Sequence, residues 1–219
     1  MITPAHARAP AFDDRPVLAT APLKAGHARE ELSRVGDSSW DLGPAVFREN
    51  ARRCHVTVHF DVLEHADVQA AMRAYLYARL NVDLPGYRPK LPPASIRQAF
   101  NRARRFFAFA RLTLGGLDLG RIDQALADAY ARHLRHDSAR RPVIVGHLLE
   151  VVSDLYHYRD RLAGGGLAFE PWAGQAPARV AGYRHVVENR TPRFPEDVIA
   201  ALLAWSLRYV TVFAHDILS

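Results

Sequence analysis

A chain of 219 residues and 24.5 kDa is long enough for one generous domain or two small ones, and 49% apolar with 24% charged residues excludes a wholly disordered chain and a fibrous repeat. No run approaches the ~18 consecutive apolar residues of a bilayer span, and the opening residues hold no apolar segment of signal-peptide kind, so no membrane association and a cytoplasmic location are expected. The single cysteine, Cys54, excludes an internal disulfide and a zinc site built on paired cysteines, while 29 basic against 23 acidic residues (net +6, pI about 9.8) favour an anionic partner.

Only Lys24 and Lys90 are lysines, so 27 of the 29 basic residues are arginine. Arginine pairs bidentately with phosphate and guanine edges, but a GC-rich coding bias gives the same ratio. Position along the chain therefore matters more than number.

Residues 1–39 carry Pro4, Pro10, Pro16 and Pro22 with little periodicity, which predicts a poorly ordered leader with a short helix near residues 28–35. Asp41-Leu42-Gly43-Pro44 opens a turn, and Pro44 suits the first turn of a short helix through Asn50. Residues 54–60 alternate in β-branched fashion and predict one strand. There His55, His59 and Asp61 would share a face, a weak metal-site pattern without a fourth ligand, against the plainer reading of a strand edge. Asp67 is placed to cap a helix to about Leu80, with Val68, Met72, Tyr75, Leu76 and Leu80 as its apolar stripe. Pro85, Pro89, Pro92 and Pro93 then break helicity and separate two units.

The clearest element is a helix over 94–114. Ile96, Phe100, Ala103, Phe107, Ala110 and Leu114 step by four, three, four, three and four, drawing one apolar stripe. Arg97, Asn101, Arg104 and Arg111 occupy the adjoining stripe, with Arg102 and Arg105 flanking. Between Leu84 and Leu114 there are seven basic residues (Arg88, Lys90, Arg97, Arg102, Arg104, Arg105, Arg111) and no acid. This is the strongest anion-binding candidate in the chain, to be weighed against a merely solvated arginine face, or, for Arg102 and Arg105, stems laid over the apolar stripe.

Gly115-Gly116 ends that helix. A third helix is expected to about Arg135, with Ile122, Leu126, Ala129, Tyr130 and Leu134 inward, and a fourth over 143–162, with His147 among its inward residues. His133 and His136, with Asp137 beside them at a helix end, form another weak metal pattern, but imidazoles near a helix C-terminus are explained by the helix dipole. Gly164-Gly165-Gly166 stops the fourth helix, residues 167–195 look like an extended linker holding Trp172, and a last helix runs from about Val198 to Asp216 with Trp205 on its apolar side. Many helices and almost no strands predict an all-α architecture.

The long basic helix, the Gly-Gly turn, Leu117-Asp118-Leu119 with Ile122-Asp123, the polar break and the helix that follows resemble the core-binding domain of tyrosine recombinases, the phage-integrase family. Further similarity lies in Tyr75-Leu76-Tyr77-Ala78-Arg79-Leu80-Asn81, in Asp154-Leu155-Tyr156-His157-Tyr158-Arg159-Asp160-Arg161-Leu162, in Pro171-Trp172 with Gly174, in Glu188-Asn189-Arg190-Thr191-Pro192-Arg193 with Pro195, and in the Leu202–Val210 stretch. Together they look like the N-terminal portion of actinobacterial-type integrases, over roughly residues 37–218.

The resemblance implies a small SAM-like helical bundle with an N-terminal helical extension and a C-terminal linker helix: a leader at 1–39, the extension at 40–92, the core-binding domain at 93–165, and a linker and helix at 166–219. It implies duplex DNA as partner, held by Lys90, Arg97, Asn101, Arg102, Arg104, Arg105 and Arg111, with Arg190 and Arg193 where the family's linker crosses the backbone. It implies no cofactor and no metal. The family's tyrosine nucleophile and its activating arginines, lysine and histidines belong to a catalytic domain expected after Ser219, and no histidine here starts a His-x-x-Arg element, so this stretch is expected not to cleave DNA by itself. The alternative is an interaction or regulatory protein that joins a full-length recombinase, or self-associates, through the apolar face of the last helix.

Overall fold

Proline spacing and apolar periodicity cut the chain into short segments. The computed structural model, which describes residues 12–48, 52–136, 140–184 and 194–214, is mainly helical with one two-stranded sheet. Two units are distinguished, one ending at Tyr183 and one starting at Arg184, so the boundaries expected at 92 and 165 fall inside the first.

The first unit begins differently from its expectation. Residues 12–35 form no regular helix beyond 3-10 turns at Phe12–Asp14 and Arg29–Glu31, yet Val17, Leu18, Leu32 and Val35 are buried. Pro16 and Pro22 interrupt helicity here without forbidding packing, because side chains satisfy the irregular backbone. The Arg29 guanidinium donates to the carbonyls of Leu18 and Ala21, Asn81 donates to that of Val17, and Trp40 Nε1 donates to that of Val35.

Strand β1 (Ser39–Asp41) pairs antiparallel with β2 (Thr57–His59), Trp40 opposite Val58. The expected strand over 54–60 is thus halved: residues Arg53–Val56 form a single helical turn, α1, before β2 starts. The ladder is short because the Asp41 carboxylate accepts from Gly43 N–H at 2.8 Å and turns the chain away after three residues. The helix expected after Pro44 is a 3-10 turn, Gly43–Ala45.

Helix α2 (Ala66–Asn81) buries the expected Val68, Met72, Tyr75, Leu76 and Leu80. Asp67 sits inside its first turn rather than at the cap, which is His65. Its carboxylate instead reaches the next helix hairpin, accepting from Leu117 N–H at 2.7 Å and pairing with Arg111 at 3.3 Å. The Leu117 hydrogen bond, the Val68 N–H and the Arg111 charge hold its pKa below the usual carboxylate value against partial burial.

Helix α3 (Ile96–Leu114) is the central rod. Ile96, Ala99, Phe100, Ala103, Phe106, Phe107 and Ala110 are buried, and the alanines among them let α2 and α5 approach closely between the phenylalanines. Gly115 closes the helix at φ 74°, a left-handed conformation a side chain would resist. Helix α4 (Gln124–His136) is capped by Asp123, whose carboxylate accepts from Leu126 N–H at 2.8 Å. Helix α5 (Pro142–His157) buries Val145, Leu148, Leu149, Val152 and Leu155. His147 is exposed and bonded to Glu150 at 3.0 Å, contrary to its expected inward place, because Val145 and Leu149 set the buried face.

Residues 167–183, expected as an extended linker, pack on this body. Leu167 is buried, the Trp172 backbone N–H donates to Gln124 Oε1 at 2.9 Å and its indole to Asp128 at 3.0 Å, and α6 (Pro177–Val180) lies on α5 where Gly146 leaves room for Ala178. Pro and Gly rule out long helices here, but apolar Leu167, Pro171, Trp172 and Ala181 still seek burial.

In the second unit, α7 (Glu196–Arg208) starts with Glu196 and Asp197 in its first turn, as the dipole favours, and runs into a π-helical turn, Tyr209–Phe213. Its Leu202, Leu203, Trp205 and Leu207 are all exposed. No helix among the described residues is long and apolar enough to cross a membrane.

Candidate nucleic-acid interface

At about 100° per residue, Arg97, Asn101, Arg104 and Arg111 fall within about 80° of arc on α3, Arg105 lies some 40° beyond Asn101, and Arg102 points about 140° from Arg97. The buried residues fill the arc between Arg111 and Arg102. The arginines therefore straddle the core-facing stripe, and their environments differ.

Arg104 and Arg105 are exposed and have no ion-pair or hydrogen-bond partner among the described residues; Asn101 is likewise exposed and unpaired. Arg97 is exposed, its guanidinium donating to the Cys54 carbonyl while its charge stays uncompensated. Arg111 is half-buried against Asp67, Arg102 pairs with Glu150 at 3.0 Å, and Lys90 pairs with Asp83 at 3.1 Å. Arg190 and Arg193 lie outside the described residues.

Along the Arg97–Arg111 stripe the surface is a trough. Three adjoining cavities of about 580, 350 and 340 Å³ share linings: Arg97 and Asn101 belong to the first and second, Arg104 to the second and third. The opposite wall brings Arg48 and His55 to the first, His59 to the second and His65 to the third. Four arginines and three histidines thus line the trough against one acid, Glu64. Its run from Ala94 to Leu112 spans about 27 Å, the rise of about eight base pairs.

His55 and His59, weighed above as metal ligands, belong to this wall: His55 stands on α1 and His59 on β2, not on one strand face. Among the described residues no group of three His, Cys, Asp or Glu side chains could hold a metal. Arg48 and His65 were not among the sequence candidates. They enter through the folding of α1, β2 and the start of α2 against α3.

The other side of α3 has opposite chemistry. Asp154, 2% exposed on α5, accepts from Tyr75 at 2.8 Å and Tyr87 at 2.9 Å, and pairs with Arg79 at 3.4 Å and Arg88 at 3.3 Å. Glu150 takes the second arm of Arg88 at 3.1 Å, together with Arg102. Burial and the Asp154 charge push the Tyr75 and Tyr87 hydroxyls above their ordinary value, so both stay protonated and donate. The cavity here measures about 40 Å³, room for roughly one water. This hub ties α2, the proline loop, α3 and α5 together, and it absorbs two of the seven basic residues of the acid-free stretch.

A scan against protein-family models and searches of curated proteins and of solved structures found no match to this chain.

Proposed function

We propose that this chain binds duplex DNA along the α3 trough, as the DNA-clasping helical portion of an integrase-like recombinase. The observation that carries the DNA reading is the row of adjoining cavities whose lining sets four arginines, one of them (Arg111) paired with Asp67, and three histidines against Glu64. Arg97 and Arg104 stand seven residues apart, about 10.5 Å along the helix, so phosphates can be met at both from a single helix face, while Arg111, one step further on, is held by Asp67. Arg48, Arg97, Arg104 and Arg105 supply the uncompensated charge, and Asn101 a neutral donor and acceptor between them. Arg102 and Lys90 serve the fold, since their charges are spent on Glu150 and Asp83. The recombinase part of the proposal is supported by the sequence motifs, and strand cleavage is not part of it.

Fluorescence anisotropy with labelled duplex DNA tests this. Wild type binds with an affinity that falls as salt rises, and Arg104→Ala with Arg105→Ala weakens it. Equal affinity for the wild type and that double variant ends the assignment.

A second reading is favoured by one observation, the exposed Leu202, Leu203, Trp205 and Leu207 of α7: association with a recombinase or a second copy through this helix. Sedimentation at high salt reads it out, because apolar association survives screening that removes phosphate contacts.

A further inference from the structure

The first cavity of the trough differs from the other two. It is the largest of them, about 580 Å³, within the roughly 300–1,000 Å³ range of small-molecule sites. Beside the charged Arg48 and Arg97 it presents two carboxamides, Gln98 and Asn101, three residues apart and so neighbours on one helix face. Val56 forms part of an apolar floor, and His55 closes the side. The side chains of Arg48, His55, Gln98 and Asn101 have no hydrogen-bond partner among the described residues. Arg97 is fixed at the rim by its bond to the Cys54 carbonyl.

Phosphate needs only the cations. A carboxamide N–H can donate to a phosphate oxygen, but a carboxamide pair over an apolar floor also carries the acceptors that a phosphate does not use, and so matches the donor and acceptor edge of a base, adenine N6 and N7 above all. A base locked in a duplex stack cannot enter such a pocket; an unpaired one can.

We propose that this cavity seats one unpaired nucleotide, preferably adenine, with its phosphate on Arg48 and Arg97 and its base against Gln98 and Asn101. The proposal rests on the trough being a nucleic-acid surface: the strand on either side of the seated nucleotide continues past Arg97 and Asn101 into the adjoining cavity. The shared ligand chemistry is a nucleoside monophosphate unit, either free or as an unpaired position in a strand.

Calorimetric titration of the full chain with 5′-AMP, 5′-CMP and inorganic phosphate is the test. AMP should bind at least about tenfold more tightly than inorganic phosphate, the discrimination of about one good base contact, and more tightly than CMP. Gln98→Leu with Asn101→Leu should abolish the difference between AMP and CMP while leaving phosphate binding in place, and Arg48→Ala should weaken all three ligands. AMP binding no tighter than inorganic phosphate, or unaltered by the Gln98/Asn101 double variant, overturns the pocket. Both substitutions lie on the exposed face of α3, so the fold is expected to persist; an unchanged thermal midpoint checks this.

A short duplex bearing a single unpaired adenine, compared with its fully paired counterpart, separates the sources. Tighter binding of the bulged duplex identifies a strand as the natural ligand, and equal binding alongside AMP binding identifies the free nucleotide. Paired-duplex binding without AMP binding overturns the pocket alone and leaves the trough standing. AMP binding without duplex binding overturns the trough as a duplex surface and leaves the pocket.

Discussion

The salt dependence of DNA binding separates a count of arginines from a structure of arginines. Each phosphate neutralised on duplex DNA contributes about −0.9 to the slope of log affinity against log salt. If all seven basic residues between Leu84 and Leu114 met phosphates, the slope would be about −6.3, a loss of about 6,000-fold between about 50 and 200 mM salt. In the structure Arg88, Lys90, Arg102 and Arg111 already face Asp154, Asp83, Glu150 and Asp67 respectively, while Arg97, Arg104 and Arg105 do not face acids and Arg48 joins them from the other wall. Four phosphates give a slope of about −3.6 and a loss of about 150-fold over the same range. Replacing Arg104 and Arg105 by alanine should bring the slope to about −1.8, a loss of about 12-fold, while Arg102→Ala should leave it unchanged. Anisotropy titrations at four or more salt concentrations provide the slopes. A wild-type slope near −6, or an Arg102→Ala slope shifted as much as that of an Arg104→Ala variant, would refute the division made here between free and committed arginines.

Three further outcomes concern the frame that holds the trough. Asp154→Asn keeps the shape but leaves Arg79, 4% exposed, without its counter-charge; urea unfolding should show a loss of about 3–5 kcal/mol, and adding Arg79→Met, which removes the orphaned charge while the carboxamide oxygen still accepts from the tyrosine hydroxyls, should recover part of it. Gly166→Ala places a Cβ 2.3 Å from the Leu155 carbonyl oxygen and 2.7 Å from Arg159 Cα, both backbone atoms that cannot swing aside, so a lowered thermal midpoint is expected, larger than for alanine at the open Gly26. His157, stacked on Tyr87 at 3.8 Å, has its proton affinity lowered by burial and by Arg159, against the pull of Asp154 and Glu170. Its folded value lies below the unfolded one, so its share of stability is present above about pH 6.5 and is lost as pH falls through the folded value. His157→Phe, which keeps the ring stack, should flatten the stability profile below neutrality in denaturant titrations, and an unchanged profile would rule the contribution out.

The helices were legible because their evidence is local. The four- and three-residue steps from Ile96 to Leu114 announce α3 and its buried side, and Gly115 announces its end; no distant residue is needed for either. The acid-free run around Arg97 and Arg104 was equally plain. Weak periodicity was a poor guide where tertiary burial took over. Val17, Leu18 and Leu167 pack without belonging to any regular element, so a leader and a linker read from prolines and glycines are parts of the first unit's core.

Legible in the residues alone, then, are the long helices α2, α3, α4 and α5, most of their apolar faces and the concentration of arginine on α3. Which of those arginines remain available depends on how the helices pack, because electrostatic neutralisation acts through space. Asp67, Glu150 and Asp154 lie 44, 48 and 66 positions from Arg111, Arg102 and Arg88 along the chain, yet within 3.4 Å of them once α2, α3 and α5 pack. The same packing brings Arg48 and His55 across from Arg97 and turns a charged helix face into a walled trough.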